Sequence, residues 1–178
     1  MSPGALRTER LVIRPIEPRD AEALAAYRGM PEVCRYVPFE PQSADDVSRR
    51  IRETWNRDTA DGGNRQFVVE VDRHVIGDVV LFWHGESRDV AEIGWMLHPG
   101  LGSRGFATEA ARAVLAFGFW DLGIRRVTAL LDERNVASAR VAEKLGMRLE
   151  ARHVEAAVFK GELSTELIYA IVAREFEA

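Results

Sequence analysis

The sequence predicts an α/β (α+β) domain built on a mixed, mostly antiparallel sheet with helices on both faces. Three observations lead there. Segments 66–71, 74–83 and 91–97 are short β-rich runs divided by turn residues, the pattern of an antiparallel meander. The run Ala91–Leu97, the helical pattern after it and the near-continuous apolar run Arg126–Leu131 make one strand–helix–strand crossover, which brings in a parallel pair. Residues 148–158 and 163–172 then read as a long hairpin around Phe159–Glu162.

The 178 residues suit one domain, 1–178, long enough to bury roughly two-thirds of its unfolded surface. A net charge of −4 without a basic stripe argues against a general nucleic-acid or membrane binder. It leaves room for a basic protein tail or a polyamine as substrate. Cys34 is the sole cysteine, so no internal disulfide or multi-cysteine metal site can form, and no metal is expected. The first residues hold no apolar signal core and no later run would span a bilayer, so the cytoplasm is the expected compartment.

Taken in order, Thr8–Arg14 opens as a strand with Leu11 and Ile13 on one face, ended by Pro15 and Pro18. Asp20 is expected to cap a helix over Ala21–Arg28, broken by Gly29-Met30-Pro31. Val33–Gln42 is irregular and carries Tyr36 and Phe39. Ser43 with Asp46 forms a capping box for a helix reaching Trp55, whose apolar stripe is Val47, Ile51 and Trp55. These aromatics either pack the core or wall an acceptor pocket. Asp58–Asn64, with its Gly-Gly pair, is expected to be a mobile polar loop. Asp72-Arg73 joins the next two strands, and His84–Asp89 is a polar turn.

In the central strand Ala91, Ile93, Trp95 and Leu97 share one face, and Glu92, Gly94 and Met96 the other. Glu92 beside Gly94 sets an acid next to a hollow. It is either an ion-pair partner at the sheet surface or a general base raised toward working pH by burial. After the turn Gly100–Gly105, Ala107, Ala110, Ala111, Val114, Phe117 and Gly118 recur at helical spacing, with Gly123 placed to cap the end. The glycines allow close backbone approach, and the helix's first N–H groups with Arg104 favour an anion. The stretch is a phosphate cradle. In one frame, Gly100-Leu-Gly-Ser-Arg-Gly105 fits the dinucleotide pattern, but the ribose-binding acid about 20 residues on is missing and Asp132 arrives late. Further along, Asn135 caps a helix in which Ser138, Val141 and Leu145 form one stripe, with Gly146 at its end. The Ser138 hydroxyl then points inward and needs a partner.

In the other frame, Gly102-Ser-Arg-Gly105-Phe-Ala107-Thr-Glu-Ala110 resembles the acetyl-coenzyme A pyrophosphate loop of the GNAT acetyltransferases, Gln/Arg-x-x-Gly-x-Gly/Ala. The nearest variety is that of the ribosomal-protein N-terminal acetyltransferases (RimJ/RimL type). Gly102 stands where that pattern has Gln or Arg. Asn135-x-x-Ser138-x-x-Val141-x-Glu143-Lys144-x-Gly146-Met147 resembles the family's second signature block, and Thr8–Pro15 its first strand. The resemblance covers nearly the whole chain, with its motifs between Glu92 and Met147.

It implies the GNAT acyl-CoA N-acyltransferase fold, with two parallel central strands splayed to admit coenzyme A. It implies a pyrophosphate held by Gly102, Ser103, Arg104, Gly105, Phe106, Ala107 and Thr108, and pantetheine held by Trp95, Met96 and Leu97. Asn135, Ser138 and Lys144 complete that set. The implied reaction is acetyl transfer from acetyl-CoA to a primary amine, either a protein N-terminal α-amine or a small molecule, by direct attack in a ternary complex. Glu92 would be the base and Ser138 the proton donor to the thiolate, with Glu155, Glu162 and Glu166 as reserve bases. Members often pair as homodimers through their last strands. Two other readings stay open: an NAD(P)-binding reductase using Gly100–Gly105 and Asp132, and a catalytically silent coenzyme A sensor, suggested by Gly102.

Overall fold

The computed structural model describes residues 4–59, 61–85, 87–102 and 104–177. Among them nine strands form one sheet: β1 (Leu6–Arg7), β2 (Val12–Pro15), β3 (Asp58–Thr59), β4 (Gly62–Val71), β5 (His74–His84), β6 (Val90–Leu97), β7 (Arg126–Asp132), β8 (Arg148–Phe159) and β9 (Glu162–Val172). Their order in space is β1-β2-β4-β5-β6-β7-β9-β8, with β3 beside β4. Every pairing is antiparallel except β6 with β7. The meander, the crossover and the final hairpin are as the sequence predicts. The last strand lies inside the sheet, between β7 and β8.

Side-chain alternation gives this sheet two apolar faces, and each takes its own helices. Ile13, Phe67, Val69, Val79, Leu81 and Ile93 pack on α4 (Phe106–Trp120) and α5 (Val136–Lys144), with Ala110, Ala111, Val114 and Leu115 of α4 fully buried. Burying side chains such as these contributes about 1.5–3 kcal/mol for each large one. Val68 and Met96 on the opposite face meet Leu24 and Tyr27 of α1 (Ala21–Arg28) and Val47 of α3 (Ala44–Glu53). The short α2 (Pro31–Cys34) leads from α1 into the irregular segment that contains Tyr36 and Phe39.

Three local expectations are corrected. Asp20 holds the N-cap position of α1, but its side chain makes no capping bond; its carboxylate accepts two bonds from Arg14, at 2.7 and 2.8 Å, and one from the Glu17 N–H. A guanidinium fork outcompetes a single amide. Helix α3 keeps its Ser43–Asp46 capping box but stops at Glu53, so Trp55 packs from the turn beyond it. The Gly-Gly segment is not a mobile loop but the start of β4, paired with β3 and with Trp83 and His84 of β5. A Cβ at Gly63 would sit 2.6 Å from the Trp83 ring, so the glycine makes room for the indole. Arg65 grips Asp58 at 2.9 and 3.0 Å across this corner and holds its carboxyl below the usual range.

Candidate active site

The site begins where the one parallel pairing ends. Register runs Val90↔Arg126, Ala91↔Val127 and Glu92↔Thr128, and stops. Strand β6 continues along β5 to Leu97, and β7 along β9 to Asp132. The two central strands part at Glu92, and the edge of Ile93–Leu97 that faces β7 has no strand partner among the described residues.

A cleft of about 510 Å³ opens in that fork. One wall is Trp95, Met96 and Leu97; the other is Asn135, Ser138, Val141 and Lys144 from the start and inner side of α5. Gly102, Gly105, Phe106, Ala107 and Thr108 close one end, and Val33, Tyr36 and Val37 lie over it. Most of the residues that the sequence singles out are thus in one place. Asn135 caps α5 by accepting the Ser138 N–H at 3.2 Å, which sets the half-buried Ser138 on the cleft side of the first turn. Leu145 on the same stripe is in the core. Ser103 lies outside the described residues. Arg104 does not line the cleft: it is exposed, with its guanidinium 5.0 Å from the centre of the Phe106 ring. Phe106 lines the cleft although it is almost fully buried.

Loop geometry explains why this end of the cleft suits an anion. Gly105 caps α4 with φ 80°, a conformation that side chains resist. That turn leaves the first N–H groups of a 15-residue helix facing outward. A Cβ on Gly105 would lie 3.4 Å from Arg10 Nη2. Arg10 braces the loop from behind, donating to the Arg104 carbonyl at 3.0 Å, pairing with Glu109 at 2.6 Å and covering the Phe106 ring at 4.7 Å. Its charge is consumed by Glu109, so it holds the loop's shape and leaves the cradle to backbone amides. Gly102, by contrast, has ordinary backbone (φ −60°), and a Cβ there would meet only the Pro99 carbonyl, at 3.5 Å. Nothing local demands a glycine at that position.

Glu92 stands at the apex of the fork, on the sheet face that carries Phe82, its partner on β5. Burial pushes its carboxyl up to about 7, helped by the charge of Glu166. Of the reserve acids only Glu166 bears on it; Glu162 pairs with Arg134, and Glu155 occupies an exposed irregularity of β8 with φ 49°. Asp132 is committed to Arg134 and Ser164, which hold its carboxyl down at about 2. It is not free to bind a ribose.

A larger groove of about 810 Å³ runs outside α4 past Trp120 and Arg112. It shares Gly105, Thr108 and Lys144 with the cleft but has neither the free strand edge nor Ser138. Size does not select the site; convergent chemistry does. Sequence reasoning missed the Arg10 brace and the part of Val33 and Val37 at the cleft; Tyr36, read as core or as an acceptor wall, lines this cleft. Both depend on contacts between residues far apart in the chain.

Residues 10–148 match the family model described as an acetyltransferase (GNAT) domain. A curated relative, the uncharacterized N-acetyltransferase YnaD of Bacillus subtilis, is 29% identical over 171 residues, covering 96% of this chain and 98% of that one. The crystal structure of a GNAT-family acetyltransferase from Bacillus anthracis superposes with a TM-score of 0.85 at 29% identity, over 96% of this chain and 99% of that one. Spermidine N-acetyltransferase from Vibrio cholerae, solved with CoA and spermine, shares the fold at 22% identity and a TM-score of 0.82, over 94% and 98% of the two chains.

Proposed function

The chain belongs to the GNAT acetyltransferase family, and from that premise we propose that it moves an acetyl group from acetyl-CoA directly onto a primary amine. The observation that carries the reading is the edge of β6 beyond Glu92, which has no strand partner among the described residues and lines one cleft with Ser138 and the Gly105 helix start. A strand edge can hydrogen-bond the amides of an extended pantetheine arm, and the helix start can take its pyrophosphate. In this reading the amides of Gly102–Thr108, Ser103 and Arg104 included, bind the phosphates. Trp95, Met96 and Leu97 hold the arm, one of their N–H groups polarises the thioester carbonyl, and Asn135 and Lys144 flank it.

The amine nitrogen attacks the thioester carbonyl carbon, and the C–S bond breaks as the new C–N bond forms. Glu92 takes the proton released from nitrogen, directly or through a water. A carboxyl near 7 is half ionised at neutral pH and basic enough for the task. Ser138 gives a proton to the departing thiolate and recovers one from solvent. Holding amine and thioester together contributes several kcal/mol to the lowered barrier.

The acceptor is a protein N-terminal α-amine or a small-molecule amine. Cytoplasmic placement is part of the proposal; no helix among the described residues is long and apolar enough to cross a membrane. Homodimer formation through the last strands is supported by β8, which lies at the end of the sheet and exposes Leu149, Val154 and Val158. The test is a thermal-shift titration with acetyl-CoA, CoA, NADH and NADPH, followed by an amine screen that reads thiol release. At a hundred times Kd a ligand adds about 2.7 kcal/mol of stability. Stabilisation by the CoA pair alone, with amine-dependent thiol release, is expected. Stabilisation by a nicotinamide cofactor instead, or CoA binding with no turnover of any amine, would overturn the proposal.

A further inference from the structure

A second cavity, of about 490 Å³, lies on the α1/α3 face of the sheet, the face that Glu92 shares. Its walls include Phe39, Trp55, Val80 and Phe82, all half-buried and open on one side. Register ties it to the reacting end of the cleft. Phe82 is the direct partner of Glu92, and Val80 of Gly94. Paired side chains lie about 5 Å apart on one face. Glu92 does not itself line the cavity; at Gly94, beside it on the same face, only Val80 Cγ1, at 3.2 Å, would approach a Cβ, so the glycine leaves the sheet surface low between Glu92 and the Val80 wall.

The buried charges at the floor of this cavity are paired with each other. Arg28 at its floor is almost fully buried. It donates to Asp78 at 2.5 and 3.1 Å and to Gln42 at 3.1 Å, while Tyr27 and Gln66 donate to the same carboxylate at 2.5 Å each. Phe39 and Trp55 turn towards that guanidinium, with ring centres at 5.2 and 5.1 Å. At the rim Glu53 and Asp61 are exposed to solvent, with Arg50 and Arg57 on the same rim. The opposite opening, beyond Tyr36, sets Arg35, Arg134 and Lys160 against Glu40 and Glu162. Among the described residues the one carboxylate buried beside this cavity, Asp78, is fully committed, so a second ammonium group drawn inside would go unpaired, which is costly. An apolar or aromatic group would instead replace water against three rings and a valine.

The Phe39 wall is fixed in place rather than floppy. Lys160, at the turn between β8 and β9, donates to the carbonyls of Cys34 at 2.7 Å and Phe39 at 2.9 Å. The segment between them therefore partitions the two cavities: Tyr36 and Val37 look onto the coenzyme cleft and Phe39 onto the second cavity.

We infer that this cavity receives the acceptor, and that the acceptor is a monoamine carrying an aromatic or branched apolar group next to its amine, not a polyamine. The inference rests on the acetyl-transfer reading above and narrows it. The same chemistry is offered by an arylalkylamine or by a peptide whose first residue is large and apolar.

The experiment compares kcat/KM for 2-phenylethylamine, peptides beginning with Phe or with Gly, and spermidine, using wild type and Phe39→Ala. It is paired with calorimetric binding of the same amines to the CoA-loaded protein. The expected result is a preference of about tenfold or more for an apolar neighbour over Gly and over spermidine. Phe39→Ala should erase it by raising the amine KM while leaving the acetyl-CoA KM unchanged. Which of the two apolar sources wins separates a small-molecule enzyme from an N-terminal one. Acetylation that favours spermidine, or a Phe39→Ala loss equal for all amines, overturns the inference and leaves the acetyl-transfer reading intact. Phe39-dependent binding of apolar amines without turnover would uphold the cavity and refute the acetyl-transfer reading.

Discussion

Replacing Glu92 with glutamine should make the protein more stable and nearly inactive at the same pH. Burial pushes the carboxyl up to about 7 in the folded chain against an ordinary 4.5. The folded state therefore holds on to a proton that the unfolded chain releases. No penalty exists below about pH 4.5, where both states are protonated; it grows between 4.5 and 7 and is complete above 7. At ~1.4 kcal/mol per pH unit that gap of 2.5 bounds the cost at about 3.4 kcal/mol. Partial solvent access reduces it to about 1–2 kcal/mol. Glutamine keeps the shape and removes the ionisation. Glu92→Gln should raise Tm by roughly 3–6 °C at pH 8 and by almost nothing at pH 4.5. Under the proposed mechanism kcat should fall by about 10²–10⁴, and the wild-type rise in kcat through pH 7 should vanish from the residual activity. Paired melting curves at the two pH values and a thiol-release assay read all of this. Equal Tm shifts at both pH values would refute the buried-acid argument, and undiminished kcat would refute its role as base.

Other substitutions test the remaining parts. Gly102→Arg fits the local space and should tighten CoA binding three- to tenfold by calorimetry, with the gain shrinking as salt rises. Gly105→Ala forces a side chain into φ 80° and against Arg10, so it should cost about 1–2 kcal/mol in denaturant melts and weaken CoA binding as well. Asp78→Ala strands the buried Arg28 charge and should lower stability by about 3–5 kcal/mol in urea unfolding. The double variant Arg28→Met/Asp78→Leu should recover only part of that loss, because Tyr27 and Gln66 lose the same acceptor. Ser138→Ala should lower kcat while leaving the melting curve and the CoA Kd nearly unchanged, since its capping contact uses the backbone N–H.

The strand–turn–helix around Glu92 and Gly105 was legible because its signals are local. Alternation picks the faces of β6, and a glycine in the left-handed region starts α4. Asn135 and Ser138 were legible for the same reason, being three residues apart on one cap. Where the deciding partner is distant, the sequence misleads or is silent. Gly63 reads as a breaker because Trp83, which needs its space, lies on another strand. Asp20 reads as a cap because its fork, Arg14, belongs to the preceding strand. The Arg28–Asp78 pair joins residues 50 apart, and neither shows alone that it will be buried. The end of β6–β7 pairing at Glu92 opens the cleft, yet no single residue encodes it; it follows from β9 continuing along β7 while β5 continues along β6.

The placement of β9 also sets an order of assembly. It follows β8 in the chain yet lies between β8 and β7, and the turn that precedes it reaches back 126 residues to Cys34 and 121 to Phe39. A ribosome making this protein would release the glycine-rich loop, α4, β7 and α5 well before β9 emerges. Until then one edge of β7 carries open N–H and C=O groups, a ready template for pairing with another chain. Contacts of such long sequence separation close slowly. The nascent chain is thus most exposed to aggregation in the interval between the emergence of β7 and that of β9, and the wall bearing Phe39 is among the last parts of the molecule to be locked.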